Sequence, residues 1–400
     1  MASPVSTAVK YFRNDMPSAP VIHGAAGSGV AALRAMLVTG FGLRSVTSAV
    51  VQGGFARLTL AAEPLQANML YTVIQVDGAT PSDLNGEQRV MYASATELRF
   101  PTALPDGPVT GSITIKSASA GWEELFIGSV TNKAAFRRLD PQATAFTLLV
   151  DDTLGANIGV RGVLSASSVT AGTSPFPDTT NPAYWLKSAS ATVNAVNWDF
   201  FADSRAFYFS PYQSTFVGGT YPTSRVAAHY FFGDPNPTRL SDPNACVIIG
   251  KLNATAANEP HFGTALNYSV QAVASCWAKS WIGTGAPTRA YLGSEGSASG
   301  SWSGDDPTRG TFPNPCDGTL YTARVMVSEN AHSGASAINR AYMPGVLHIP
   351  HDEVGAYIQP RSDPVILQSG EPAVVLGIGN SWSTLACPAV ALMSFLNGWR

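Results

Sequence analysis

From Ser45 onward the chain is a succession of short β-prone runs, each closed by Gly, Pro, Asn or Asp. Runs of this kind, too short for helices and rich in Val, Ile, Thr and aromatic residues, read as strands. "SVTSAVVQGGFARLTLA" predicts a hairpin about Gly53-Gly54, because a two-residue turn needs positive φ at both positions. "MLYTVIQVDG", "EQRVMYAS", "ELRFPT" and "TGSITIKS" follow at the spacing of a small barrel or sandwich. Between the first two lies "GATPSDLNG", where Asn85-Gly86 predicts a turn and Leu84 the residue tucked beneath it. Residues 45–120 are therefore expected to form one small β-module.

The segment before the module is different. Pro4, Pro17 and Pro20 keep residues 1–20 extended. In "GSGVAALRAMLVTGFG", Val30, Leu33, Met36 and Leu37 form a helical stripe, with Ser28 as the expected cap and Gly40 and Gly42 as stops. The glycines Gly24, Gly27 and Gly29 have the wrong spacing for a dinucleotide loop, and no Lys follows to make a phosphate loop. No cofactor is expected.

Beyond Trp122 a larger β-rich region runs to the end, through "TAFTLLVDDT", "IGVRGVLSAS", "RVAAHYFFGD", "ACVIIG" and "AVVLGIG". The fold expected is mainly β: an arm and one helix over 1–44, the module over 45–120, and a larger β-sandwich-like region over 121–400. The polar, glycine-rich stretch 283–318 reads as a long loop, of a length that usually serves function or meets a neighbour.

Charge narrows the partners. Charged residues make up 13% of the chain, about half the usual quarter. Net charge is −3, and the longest basic cluster is Arg137-Arg138, so the counterion release that drives nucleic-acid binding has no source. No apolar run reaches the roughly 18 residues of a membrane span. The N-terminal segment lacks the apolar core of a secretory signal, so synthesis and retention in the cytoplasm are expected. Cys246, Cys276, Cys316 and Cys387 contain no close pair of the kind zinc requires and read as buried free thiols.

Reactive constellations are thin. His348, His351, Asp352 and Glu353 crowd together, but Pro350 favours a turn over a metal-binding helix. Glu123-Glu124, Asp151-Asp152 and Asp305-Asp306 are acidic doublets of the kind that usually sit in solvated turns, whereas a glycosidase needs two carboxyls facing one cleft. "GNSWS" and "SGSWSG" lack the nucleophile elbow, and Cys276-Trp277 reads as a core pair. Aromatic residues are the denser signal, in "NWDFFADSRAFYFSPY" and "HYFFG". Alternation assigns one face of such strands to a core and the other to a covered or binding surface. Trp198, Phe200, Tyr208 and Tyr212, with Tyr291 and Trp302 from the 283–318 stretch, are the candidate interaction residues.

"LNGEQRV", "LRF" and "TGSITIKSASAGWEELF" together resemble a β-module that recurs in tailed-bacteriophage virion proteins. "VKYFRNDMPSAPVIHGAAGSGVAALRAMLVTGFG" is similar to the start of uncharacterised phage and prophage structural proteins, as are "LLVDDT", "FPDTTNPAYWLKS", "DSRAFYF" and the terminal "GWR". The resemblance implies a structural component of a virion, of tail or baseplate type. It works through repeated contacts with other virion proteins and with copies of itself, and it is not an enzyme. A receptor- or carbohydrate-binding tail-tip module meeting host surface glycan, and a capsid decoration or head-to-tail protein, are the alternatives. The family carries no catalytic residues to transfer.

Overall fold

The computed structural model describes residues 3–178, 182–188, 190–212, 229–239, 242–251, 273–283, 285–294, 313–314, 316–329, 338–349, 364–367, 370–378 and 389–400. The protein is mainly β, in antiparallel sheets. Strand β1 (Lys10–Arg13) and helix α1 (Ser28–Arg34) come first. The apolar stripe of α1 is buried at Val30 and Leu33, and the chain continues through one π-helical turn, Ala35–Thr39, that buries Met36 and Leu37. Gly40, with φ of 70°, ends it.

Strands β2 (Phe41–Gln52), β3 (Phe55–Leu60), β4 (Val73–Asp77), β5 (Gly86–Arg89), β6 (Tyr92–Ala93), β7 (Glu97–Pro101), β8 (Gly107–Val109) and β9 (Thr114–Ser117) form the first sheet system. The long β2 serves both halves of it. Its first part pairs β9, with Arg44 opposite Ile115, and its second pairs β3, with Val51 opposite Ala56. Register shifts after Phe41 and after Val46 mark the bends that let one strand belong to both halves. Inward side chains such as Leu58, Ile74, Val76, Leu98, Phe100 and Ile115 are buried. The hairpin glycines Gly53 and Gly54 have φ of 61° and 77°. Asn85 works differently from the expectation: its backbone is extended at φ −73°, and its side chain bridges the amide and carbonyl of Ala79 at 2.8 and 2.9 Å. Leu84 is buried beneath it.

The remaining strands are β10 (Trp122–Leu125), β11 (Lys133–Arg138), β12 (Thr147–Asp151), β13 (Asn157–Val163), β14 (Ser165–Ala166), β15 (Gly172–Thr173) and β16 (Ala183–Leu186). They continue with β17 (Asn197–Ala202), β18 (Ala206–Tyr212), β19 (Tyr230–Gly233), β20 (Asn236–Pro237), β21 (Val247–Lys251), β22 (Val273–Trp277) and β23 (Thr288–Ser294). The last are β24 (Ala323–Glu329), β25 (Ile338–His348), β26 (Val365–Ile366), β27 (Pro372–Ile378) and β28 (Ala389–Ser394). Strands β10 to β13 and β16 form one antiparallel ladder. A second ladder runs β1-β17-β18-β19-β21-β22 and on through β23, β24 and β25 to β28 and β27. Strand β23 lies inside the stretch that sequence reads as a loop: Tyr291 and Leu292 pair with Ser328 and Val327 of β24.

Two apolar cores flank the middle of the second ladder. Phe200, Phe207, Phe209, Phe232 and Ile248 face the core shared with α1, the first sheet system and β10–β13. Their neighbours Phe201, Tyr208, Phe231, Val247 and Ile249 face a second core closed by β24, β25, β27 and β28. Strands β17, β18, β19 and β21 therefore carry adjacent apolar residues, Phe200-Phe201, Phe207-Tyr208-Phe209, Tyr230-Phe231-Phe232 and Val247-Ile248-Ile249, in place of alternation, because both faces are covered there.

Arg89, fully buried, ties the parts together. Its guanidinium donates to the carbonyls of Ser6, Val9 and Tyr71 at 2.7 to 3.0 Å, and more weakly to that of Phe395 at 3.4 Å. One side chain thus joins the N-terminal arm, the first sheet system and the segment after β28.

Candidate interaction surface

Four of the six candidate interaction residues are core residues. Trp198, Phe200 and Tyr208 have no exposed surface and Tyr212 has 3%. Phe200 stacks on Phe207 at 5.1 Å, and the Trp198 indole donates to the carbonyl of Pro20. Tyr208 donates to the carbonyl of Pro344 at 2.7 Å and meets Trp399 edge-on. The physical reason is the double-sided sheet: the face that alternation leaves over for a ligand is covered by the second core. Tyr291 is half-buried on β23, and Trp302 lies outside the described residues.

The fold also brings together a serine, a histidine and an acid that chain order does not suggest. Asp199 of β17 pairs in register with Ser210 of β18, whose hydroxyl shares a 2.8 Å hydrogen bond with Nδ1 of His229. Acyl transfer needs the imidazole between nucleophile and carboxylate. Here Ser210 meets Nδ1 of the imidazole, and the Asp199 carboxylate accepts from the Tyr212 hydroxyl. All three are at most 1% exposed.

Acidic doublets split because successive strand residues point to opposite faces. Glu123 pairs with Arg137 and Glu124 with Arg34, while Asp151 pairs with Lys133 and Asp152 with Lys187. Neither doublet offers two carboxyls to one cleft, and Asp305 and Asp306 lie outside the described residues. So do His351, Asp352 and Glu353; His348 is buried at the end of β25. Among the described residues no group of three or more His, Cys, Asp or Glu side chains is placed to hold a metal ion. No described helix is long and apolar enough to cross a membrane.

The thiols divide. Burial pushes Cys246 and Cys276 up to about 12, whereas Cys316 is exposed, against the expectation that it is buried. Cys387 lies outside the described residues. In a Cys387→Ser background, one thiol per native chain is expected to react with an aromatic disulfide reagent, and Cys316→Ser is expected to abolish that reaction; thiolate supply and access both set the rate. Prompt labelling of two or three thiols would contradict this placement.

Exposed apolar side chains stand on one outer face of β2, β3 and β6, at Val50, Phe55 and Tyr92, and on four connections elsewhere. The β10–β11 turn presents Phe126, Ile127 and Val130; the β12–β13 turn presents Leu154; the β16–β17 connection presents Val193; and the segment leading to α1 presents Val21. Ile127 is 76% exposed, Val193 74% and Val21 60%. Backbone contacts close the four segments into a ring. The Asp152 amide donates to Asn132, the Lys187 and Ser188 amides to Ala156, and the Val196 amide to Ile22. Gly24 lies so close to Ser190 that a Cβ there would come within 1.7 Å of its carbonyl oxygen. The charged side chains of the ring, Asp152 and Lys187, point inward and are fully buried.

That buried pair builds the ring from below. Gly27, not Ser28, is the N-cap of α1 and has no side chain to offer. The free amides of Gly29 and Val30 are taken by Oδ2 of Asp152 at 2.8 and 3.2 Å. The Lys187 ammonium bonds Asp152, the carbonyl of Ala25 and the hydroxyl of Ser28. Burial raises the Asp152 carboxyl and lowers the Lys187 ammonium from their ordinary ranges. Sequence reasoning passed over this surface because "FIGSVTN", "TLGAN" and "SASATVNAV" have no periodicity; the available signal was the lack of exposed charge in turn segments that hold large aliphatic residues.

The opposite end of β11 mixes an exposed Leu139 with charged side chains. Asp140, in the β11–β12 turn, accepts from Arg205 and Ser204. Partial burial works to raise its carboxyl, but these hydrogen bonds outweigh that and hold it at about 2. A carboxylate depressed by folding stabilises above its unfolded pKa, and that contribution is lost as pH falls through the folded value. Asp140→Asn is therefore expected to flatten the acid limb of the stability profile between about pH 4 and 2, with little change at pH 7 in the wild-type-to-variant slope; an unchanged acid limb would refute the assignment. No protein-family model matches the sequence, and no curated protein matches it.

Proposed function

We propose that the protein is a structural component of a tailed-bacteriophage virion, of tail or baseplate type, which acts through repeated protein contacts. In this reading a small N-terminal β-module, preceded by one helix, is fixed to a larger β-sandwich-like region, and both serve as a scaffold. The observation that supports it most is the ring of four connections, where large aliphatic side chains stand exposed with no exposed charge among the described residues. Large aliphatic side chains left exposed on neighbouring segments favour a contact site, because leaving them in water is costly. The sequence resemblance to phage virion proteins supplies the setting.

The test is the composition of purified particles. The chain is expected in the tail fraction by mass spectrometry, with immunogold label at the tail end. Label over the head would favour a decoration or head-to-tail protein instead. Absence from particles would end the virion reading and reopen the question of an enzyme.

A further inference from the structure

We propose that the outer face of β2, β3, β7 and β6 binds the carboxylate of an acidic sugar, with Arg57 as the anchoring charge. The inference goes beyond the virion reading and does not depend on it. Alternation turns Val51, Ala56, Leu58, Leu98 and Phe100 inward and leaves the residues between them on one outer face. Register fixes the layout of that face. Val50, Arg57, Arg99 and Tyr92 form one cross-strand row, with Pro108 beyond Val50. On one side of it lies the row Gln52–Phe55–Pro101, and on the other the row Ser48–Thr59–Glu97. Arg57 stands at the centre of this grid.

The charges on the grid do not balance. Arg57 and Arg99 lie directly opposite one another, an arrangement that is destabilising for like charges. Glu97 is the one carboxylate in the three rows. It bonds Nε of Arg99, whose guanidinium also lies over the Tyr92 ring at 4.2 Å. Arg57 has no carboxylate and no hydrogen-bond acceptor among the described residues. Its Nε is closed off from water, which leaves the terminal nitrogens to meet a ligand. An anion bound there supplies the missing counter-charge, and the planar fork of a guanidinium matches the two oxygens of a carboxylate.

The groups around Arg57 select a sugar as the bearer of that carboxylate. Phe55 and Tyr92 are 37% and 42% exposed, and their ring faces can pack on the C–H side of a pyranose. Ser48, Gln52 and Thr59 are exposed side chains that can bond its hydroxyls. A peptide that docks on a sheet draws on main-chain bonds at an open edge. Here β2 is paired by β3 and β8, β3 by β2 and β7, and β7 by β3 and β6, so the grid offers a peptide no free edge at Arg57. A second copy laid on the same face would bring like charge against Arg57. Nucleic acid needs a run of cations to release counterions, and two guanidiniums beside one carboxylate are not such a run.

The experiment is isothermal titration calorimetry of the full chain with trigalacturonate and with trisialic acid, at low and at physiological ionic strength. Binding of at least one is expected, and it should weaken as salt rises. Arg57→Gln should weaken it at least about tenfold, the loss expected when a charge-assisted hydrogen bond is removed. Phe55→Ser should act in the same direction. Arg137→Gln, which removes a half-exposed arginine from another sheet, should leave it unchanged. The methyl ester of the bound sugar should bind as poorly as the acid binds Arg57→Gln. Both variants on the grid change outward side chains, and matching melting curves would exclude misfolding. Absence of binding to either acid overturns the proposal, as does equal weakening by Arg137→Gln or full retention of binding by the ester. Hexaglutamate bound as tightly as the sugar overturns it in favour of an acidic peptide, and inorganic phosphate bound as tightly overturns it in favour of a bare anion site. A chain that binds the sugar but is missing from particles refutes the virion reading alone.

Discussion

Arg89→Met is expected to destabilise the protein by about 3 kcal/mol, read as an early thermal or denaturant transition. Methionine keeps the aliphatic volume and removes the guanidinium. The carbonyls of Ser6, Val9 and Tyr71 then lose a charged donor in a site closed to water, and each orphaned acceptor costs about 1 kcal/mol or more. The gain from no longer burying a charge works against this. Burial lowers the Arg89 guanidinium to about 10 despite the pull of Glu87 and Glu371, and among the described residues it has carbonyl partners and no bonded carboxylate. That offset is why the estimate stays near 3. A second readout separates this from ordinary core damage. The arm before β1 should become a target for limited proteolysis at temperatures where the remaining chain resists. Unchanged stability together with a protected arm would show that Arg89 does not join the segments.

Lys187→Met is expected to cost about 4 kcal/mol, because removing one partner of a buried ion pair strands the other. The Asp152 carboxylate would keep the amides of Gly29 and Val30 but lose its counter-charge in a fully buried site. Asp152→Asn in the same chain should recover about half of the loss, since asparagine caps a helix nearly as well and carries no charge. The pH dependence has a definite sign. Burial has already raised Asp152 above the ordinary carboxyl value of 3.8, and removing the lysine raises it further. A group with a raised folded pKa contributes stability that is lost as pH rises through that value. The deficit of Lys187→Met should therefore shrink as pH is lowered toward 4. A deficit independent of pH, or a double variant as unstable as the single, would rule out the ionic account.

Local chemistry was legible where it was self-contained. Gly53-Gly54 tolerates positive φ at both positions, and the turn between β2 and β3 uses it at both. The stripe of Val30, Leu33, Met36 and Leu37 marks the buried face of α1 and the turn after it. The cap was not legible, because its acceptor lies 123 residues from the amide it serves. Nor was the burial of both aromatic faces. Period-two reasoning separates a wet face from a dry one, and β17 to β19 have no wet face to separate. Strand β23 was hidden by its glycine-rich surroundings, although "TRAYLGS" alone has a strand composition. The ring of connections depends on four segments meeting in space, which no single stretch of sequence announces.

The layer formed by β17, β18, β19 and β21 has a consequence for how the molecule opens. Its amides are shielded by partner strands within the layer and by packed side chains above and below it. Local fraying exposes an amide when one side of a sheet is already wet, and here neither side is. Isotope exchange at Phe207, Phe209, Phe231 and Ile248 thus has to await separation of whole layers. These positions should form the slowest-exchanging set of the described chain, and their rate sets how rarely the molecule comes apart.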